Sequence, residues 1–196
     1  MNMDTRKINI FLNELKDKHP ENMDLLESIQ MNFNEEFKPL THSERKALVM
    51  HPMQFVKRIS EPDGSWTSQL HIWAEQGVPE IMDLDPMFLT FSNSHGDTVL
   101  HCLITGLTGA YTEKVDYPAL ENILTKELSY EDIDTDNEGN QVKSVIVPLN
   151  VKDSIGKTPL DYIIAYAYGT DIYEGTNPDQ QLIDILIKIS ENTEEF

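Results

Sequence analysis

Cysteine is nearly missing from this chain: Cys102 stands alone among 196 residues. One thiol makes neither an internal disulfide nor a multi-thiolate metal site, and its scarcity suits a reducing compartment. Basic residues are also scarce, with 15 Lys and Arg against 34 Asp and Glu and a formal net charge of −19. Such a chain is repelled by phosphate backbones and by anionic membrane surfaces, so neither direct nucleic acid nor a membrane is expected as a partner. No apolar run approaches the ~20 residues that span a bilayer. The opening stretch MNMDTRKINIFLNELKDKH breaks its apolar positions with charges, unlike a signal-peptide core. The expectation is a soluble, cytoplasmic protein. Its 39% hydrophobic content is enough to build a core, which argues against wholesale disorder.

Catalytic signatures are missing as well. There is no Walker A, G-x-G-x-x-G, G-x-S-x-G or H-E-x-x-H run, and the six histidines form no spaced ligand set with Cys102. Asp132-x-Asp134-x-Asp136 resembles the start of a calcium loop. Counted from Asp132 the twelfth residue is Lys143, and counted from Asp134 it is Val145, so the bidentate carboxylate is lacking in either frame. Cys102 follows His101 directly, and neighbours in a helix diverge around its axis, so they form no thiol–imidazole pair. The expectation is no enzyme, no cofactor and no metal.

What is present is periodicity. Ile8, Phe11, Leu12 and Leu15, then Met23, Leu26, Ile29 and Phe33, fall at helical spacing. Thr41 with Glu44 makes a capping box before a short helix through Ala47, Leu48 and Met50. Residues 1–62 therefore read as a helical N-terminal cap. Beyond Pro62-Asp63-Gly64, a turn signal, three segments share one grammar: a Ser or Thr able to cap a helix, then Leu and an apolar stripe. Their anchors Leu70, Leu100 and Leu160 lie 30 and 60 residues apart, so the second interval holds either an insertion or a degenerate unit. Second helices are expected from Pro79 through Ile81, Met82 and Leu84, from Pro118 to Leu124, and after Asn177-Pro178 through Leu182, Ile183, Leu186 and Ile189. Alternation in 129–135 and 141–147 around an Asn/Gly-rich turn reads as a β-hairpin near 129–147, an outgrown turn of the second unit.

The run Asp153-Ser-Ile-Gly-Lys-Thr-Pro-Leu160, with Asn150 before it, His71 and His101 at the start of the earlier helices, and Gly77-Val-Pro-Glu-Ile-Met82 between helices, resembles the ankyrin repeat family. The likeness covers about residues 64 to 190. Departures are Trp66 in place of the first glycine, Trp73 in place of a small residue, and Asp161 in place of the third histidine. Leu103, Ile104, Ile163 and Ile164 replace the usual alanine pairs, and long loops follow Ile104 and Ala167. The fold class expected is mainly α: a short ankyrin-like αα-hairpin solenoid of about three units over residues 63–196, behind the helical cap.

The resemblance implies protein–protein interaction through the finger turns and the concave face. The positions would be Trp66, Thr67, Gln69 and Ile72; His95, Asp97, Val99 and Cys102; Ile155, Lys157, Pro159 and Tyr162. Trp66 and Tyr162 are the expected anchors, since hot spots favour such side chains. An inhibitor or host-directed effector acting on another protein is the reading. An acidic DNA mimic that occupies a basic groove stays open beside it, as do an enzyme hidden in the N-terminal helices and a homodimer joined at the C-terminal helix.

Overall fold

The computed structural model describes residues 40–60, 63–109, 114–135, 140–170 and 177–193. The helices expected over 8–15 and 23–33 lie outside them. Six α-helices and two small antiparallel sheets make up the described residues: α1 (His42–Met50), β1 (Arg58–Ser60), β2 (Trp66–Ser68), α2 (Gln69–Glu75), α3 (Val99–Leu107), α4 (Tyr117–Thr125), β3 (Tyr130–Thr135), β4 (Gln141–Ile146), α5 (Pro159–Tyr168) and α6 (Gln180–Thr193). The protein is mainly helical, and no helix among the described residues is long and apolar enough to cross a membrane.

Each helix starts where the local chemistry dictates. Thr41 and Glu44 form the anticipated capping box on α1. Ser68, Thr98 and Thr158 cap α2, α3 and α5 by accepting the amide three residues on. For α6 the cap is Asp179, whose carboxylate accepts the Leu182 amide at 3.1 Å, rather than Asn177 two residues earlier. Helix α2 packs on α3 and α3 on α5, while α4 and α6 back them and touch each other. Gly106 sets the first of these approaches. A Cβ there would lie 2.5 Å from the Glu75 carbonyl and 2.5 Å from the Gly77 amide, so only glycine lets α3 come this close to the end of α2.

One continuous core runs through the elements. Leu48, Leu70, Leu100, Leu103, Ile104, Leu120, Ile163 and Leu182 have no exposed surface, and burial of each is worth roughly 1.5–3 kcal/mol. Trp73 fills the gap between α2 and the segment before β1, its ring 4.5 Å from that of Phe55.

Four expectations need correction. The second helix through Ile81 and Leu84 is instead a pair of 3₁₀ turns, Pro79–Asp83 and Pro86–Thr90, because each proline restarts the chain after one turn. The boundary at residue 62 falls inside a hairpin: Ile59 pairs with Thr67 and Arg58 with Ser68, so the end of the cap and the start of the first unit share one sheet. The loop placed after Ile104 begins later, because α3 runs on through Leu107. The β3–β4 hairpin exists in the register Tyr130↔Ile146 to Thr135↔Gln141, but it precedes a complete turn at 153–157 rather than replacing one. It therefore accounts for the 60-residue interval as an insertion.

Candidate functional site

The turns that lead into α2, α3 and α5 are built from one short polar plan. Asn93 Oδ1 accepts the amides of His95 at 2.9 Å and Asp97 at 3.0 Å. Asp153 Oδ1 accepts those of Ile155 at 2.9 Å and Lys157 at 2.8 Å. In both, the backbone amide of the Asx residue bonds the carbonyl four residues on, and a glycine with φ of 81° makes the reversal. Asp63 opens the first turn, bonding the Ser65 amide and hydroxyl, and these bonds hold its carboxyl below the usual carboxylate range. There the left-handed residue is Gly64, two positions earlier than in the other turns, and the chain then enters β2 as Trp66.

Successive turns touch. Trp66 donates its amide to Ser94 Oγ at 2.9 Å and accepts the Ser94 amide at 3.0 Å. Gly96 lies so near the third turn that a Cβ would sit 2.6 Å from the Ser154 amide nitrogen. Two histidines stitch the same joints from below. His71 Nε2 meets the Phe91 carbonyl at 2.9 Å and its Nδ1 meets Ser68 Oγ at 2.7 Å. His101 Nε2 meets the Lys157 carbonyl at 3.0 Å, and its Nδ1 accepts from the Thr98 amide and hydroxyl at 3.1 and 2.8 Å. A carbonyl on one side and an amide donor on the other require the neutral tautomer of His101 with hydrogen on Nε2. Burial pushes both imidazoles below their ordinary pKa, against a smaller upward pull from the carbonyls they meet.

The expected contact residues divide by exposure. His95 and Ile155 stand outward at the turn tips, Ile155 with 68% of its surface open. Trp66, Thr67, Gln69, Ile72, Asp97, Lys157 and Tyr162 are half-buried. Val99 is withdrawn as a contact residue: it has no exposed surface, because the first turn of α3 points it into the core. Cys102 and Pro159 are buried too. Cys102 sits with Sγ 3.7 Å from Glu75 Oε1, and burial together with that carboxylate pushes its thiol well above the ordinary range, which favours the protonated form.

The two expected anchors are partly committed within the chain. Arg58 of β1 lies over the Trp66 ring, 4.2 Å from its centroid. Tyr162 donates its hydroxyl to Asp153 Oδ2 at 3.0 Å and sets its ring edge-on to His101 at 5.0 Å. Sequence reasoning missed Ser94, whose hydroxyl and amide join the first two turns. The only signal was its place after an Asx residue, as Ser154 follows Asp153. Asp132 and Asp134, the calcium-loop positions, stand on strand β3. Among the described residues no group of three His, Cys, Asp or Glu side chains is arranged to hold a metal ion. No protein-family model, curated protein or solved structure matches the chain.

Proposed function

We propose that this chain is a divergent ankyrin-type array that recognises another protein through its turn tips and the adjoining helix faces, without chemistry of its own. The observation that supports it best is the row of linked turns. Three helix-starting turns are tied to one another by Ser94, His71 and His101, which makes a stiff platform from which His95 and Ile155 project. Residues held this way lose little entropy on binding, which suits recognition. An inhibitor or host-directed effector acting on a partner of basic surface fits the −19 charge.

The test uses side chains that the turns do not need. A His95→Ala, Ile155→Ala variant and the wild type are compared as baits for cell lysate, each washed at low and high salt, with folding checked by circular dichroism. A specific protein that survives high salt on the wild type and is absent from the variant is the expected result. A second reading, an acidic mimic of nucleic acid, draws on the same net charge. It predicts basic nucleic-acid-binding proteins that are released by salt and indifferent to both substitutions.

A further inference from the structure

His71 and His101 hold corresponding joints, yet their rings meet different partners on the Nδ1 side. At the first joint the partner is a hydroxyl, Ser68 Oγ, 2.7 Å from His71 Nδ1. A hydroxyl donates or accepts according to how its hydrogen is turned. At the second joint one partner is a backbone amide. The Thr98 N–H donates to His101 Nδ1 at 3.1 Å, beside the Thr98 hydroxyl at 2.8 Å. An amide N–H carries one fixed hydrogen and cannot turn into an acceptor.

On the opposite edge the two rings agree. His71 Nε2 meets the Phe91 carbonyl and His101 Nε2 the Lys157 carbonyl, so each neutral ring carries its hydrogen there. A second proton must therefore go to Nδ1. In His71 the new N–H donates to Ser68 Oγ, and both contacts of the ring are kept. In His101 it would set one N–H against another, so the ring has to leave the Thr98 box. Leaving breaks its bond to the Lys157 carbonyl, which ties the third turn to the second. That carbonyl keeps the Asp153 amide at 2.8 Å, so the third turn itself stays closed.

The surroundings of His101 complete the device. Burial is the largest influence on the ring and keeps it neutral. Against burial act the Lys157 carbonyl and three carboxylates: Asp153 on the third turn, Asp97 on the second and Asp161 on α5. Tyr162 of α5 stands edge-on to the ring and donates to Asp153, while Lys157, the cation of the third turn, acts on Asp161. The three carboxylates are the counter-charges toward which a displaced imidazolium turns. At the first joint Asp97 pulls His71 in the same upward direction against its burial.

We infer that uptake of one proton by His101 opens the joint between the second and third turns, whereas the first joint takes up its proton on His71 and stays closed. The platform thus carries an acid-sensitive hinge between the turn tips His95 and Ile155. The hinge belongs to the chain itself and is read without a partner, so its failure and the failure of the recognition reading are separate results.

The test follows the full chain by NMR from pH 7.5 to 5. It reads the ring Cε1 shifts of both histidines and amide exchange corrected for its intrinsic pH dependence. The His71 shift should move smoothly with pH while the Ser94 amide, bonded to the Trp66 carbonyl at 3.0 Å, keeps its protection. The Thr98 amide should lose protection about tenfold per pH unit below about pH 6.5, the slope of an opening coupled to one proton. His101→Gln, which can still donate and accept, and His101→Asp, which copies the Thr158–Asp161 box, should each flatten that slope. Circular dichroism checks both folds, and the wild-type titration stands without either variant. His71→Gln should leave the Thr98 slope in place. Thr98 protection unchanged over this range, equal losses at Ser94 and Thr98, or a slope that survives both substitutions at residue 101 would each overturn the inference.

Discussion

The second and third turns are near copies in sequence and differ in what lies beyond them. At the second, Thr98 and His101 make a capping box, and the far side of the imidazole reaches the Lys157 carbonyl of the next turn. At the third, Thr158 and Asp161 make the same box, with Asp161 Oδ2 accepting the Thr158 amide at 2.7 Å and hydroxyl at 2.9 Å. A carboxylate suffices there because the described residues offer no further turn to reach. Asp161, where the resemblance led one to expect a histidine, makes the box with Thr158 alone, whereas His101 also bonds a carbonyl of the following turn.

The largest effect that would break this comparison involves the paired glycines. Gly96 and Gly156 share φ of 81°, but a Cβ at Gly96 meets the Ser154 backbone while one at Gly156 meets nothing within 4 Å. Gly156→Ala should cost only the left-handed strain, roughly 1–2 kcal/mol. Gly96→Ala should lose that and a further ~1–3 kcal/mol from overpacking the joint. Urea unfolding of both variants measures the difference, and equal losses would mean that the turns are not stacked.

Next in size are the residues at the third cap position. His101→Leu removes the bond to the Lys157 carbonyl and leaves the Thr98 donors buried without their acceptor, and should cost about 2 kcal/mol. The loss is held to that because the Lys157 carbonyl keeps the Asp153 amide at 2.8 Å. Asp161→Ala removes only a cap, about 1 kcal/mol. If the two losses come out reversed, the bond between units is not what distinguishes the positions.

Acid should separate the joints from the end. Burial keeps His71 and His101 below the ordinary imidazole value of 6.5, so the unfolded chain takes up protons before the folded one does. Their contribution is complete above about pH 6.5 and is lost as pH falls through the lower folded values. Asp161 behaves differently: the Thr158 amide holds its carboxyl below 3.8, so its contribution persists until the solution is far more acidic. Denaturant midpoints should therefore decline between about pH 7 and 5 in the wild type. A His71→Gln, His101→Gln variant should start lower and run flatter, whereas Asp161→Ala should keep the wild-type slope over that range.

These contrasts explain how far the sequence could be read. Leu70, Leu100 and Leu160, the Thr41–Glu44 box and the Asn/Gly-flanked alternation were legible because each is a local rule written in neighbouring residues. The 60-residue interval resolved into an insertion only through the approach of Gly96 to Ser154, a contact between residues 58 apart that no periodicity encodes. Val99 was taken for a contact position because the resemblance places binding on the concave face of the first helices, but the first turn of this helix points it into the core. Trp66 read as an exposed anchor because Arg58, its cover, belongs to a strand whose pairing was not visible in three residues.

That cover is the subject of the smallest effect. A guanidinium over an indole at a half-open site contributes about 0.5–1 kcal/mol, so Arg58→Ala should lower stability by no more than that. The informative readout is accessibility. The chain has two tryptophans, and Trp73 is only 7% exposed, so any rise in iodide quenching of fluorescence belongs to Trp66. If Trp66 is an anchor held under a removable lid, Arg58→Ala should raise quenching and strengthen capture of the partner that the wild type retains. If Arg58 and Trp66 only close the end of the β1–β2 sheet, quenching should rise with capture unchanged, and recognition would then rest on the outer turn tips, His95 and Ile155.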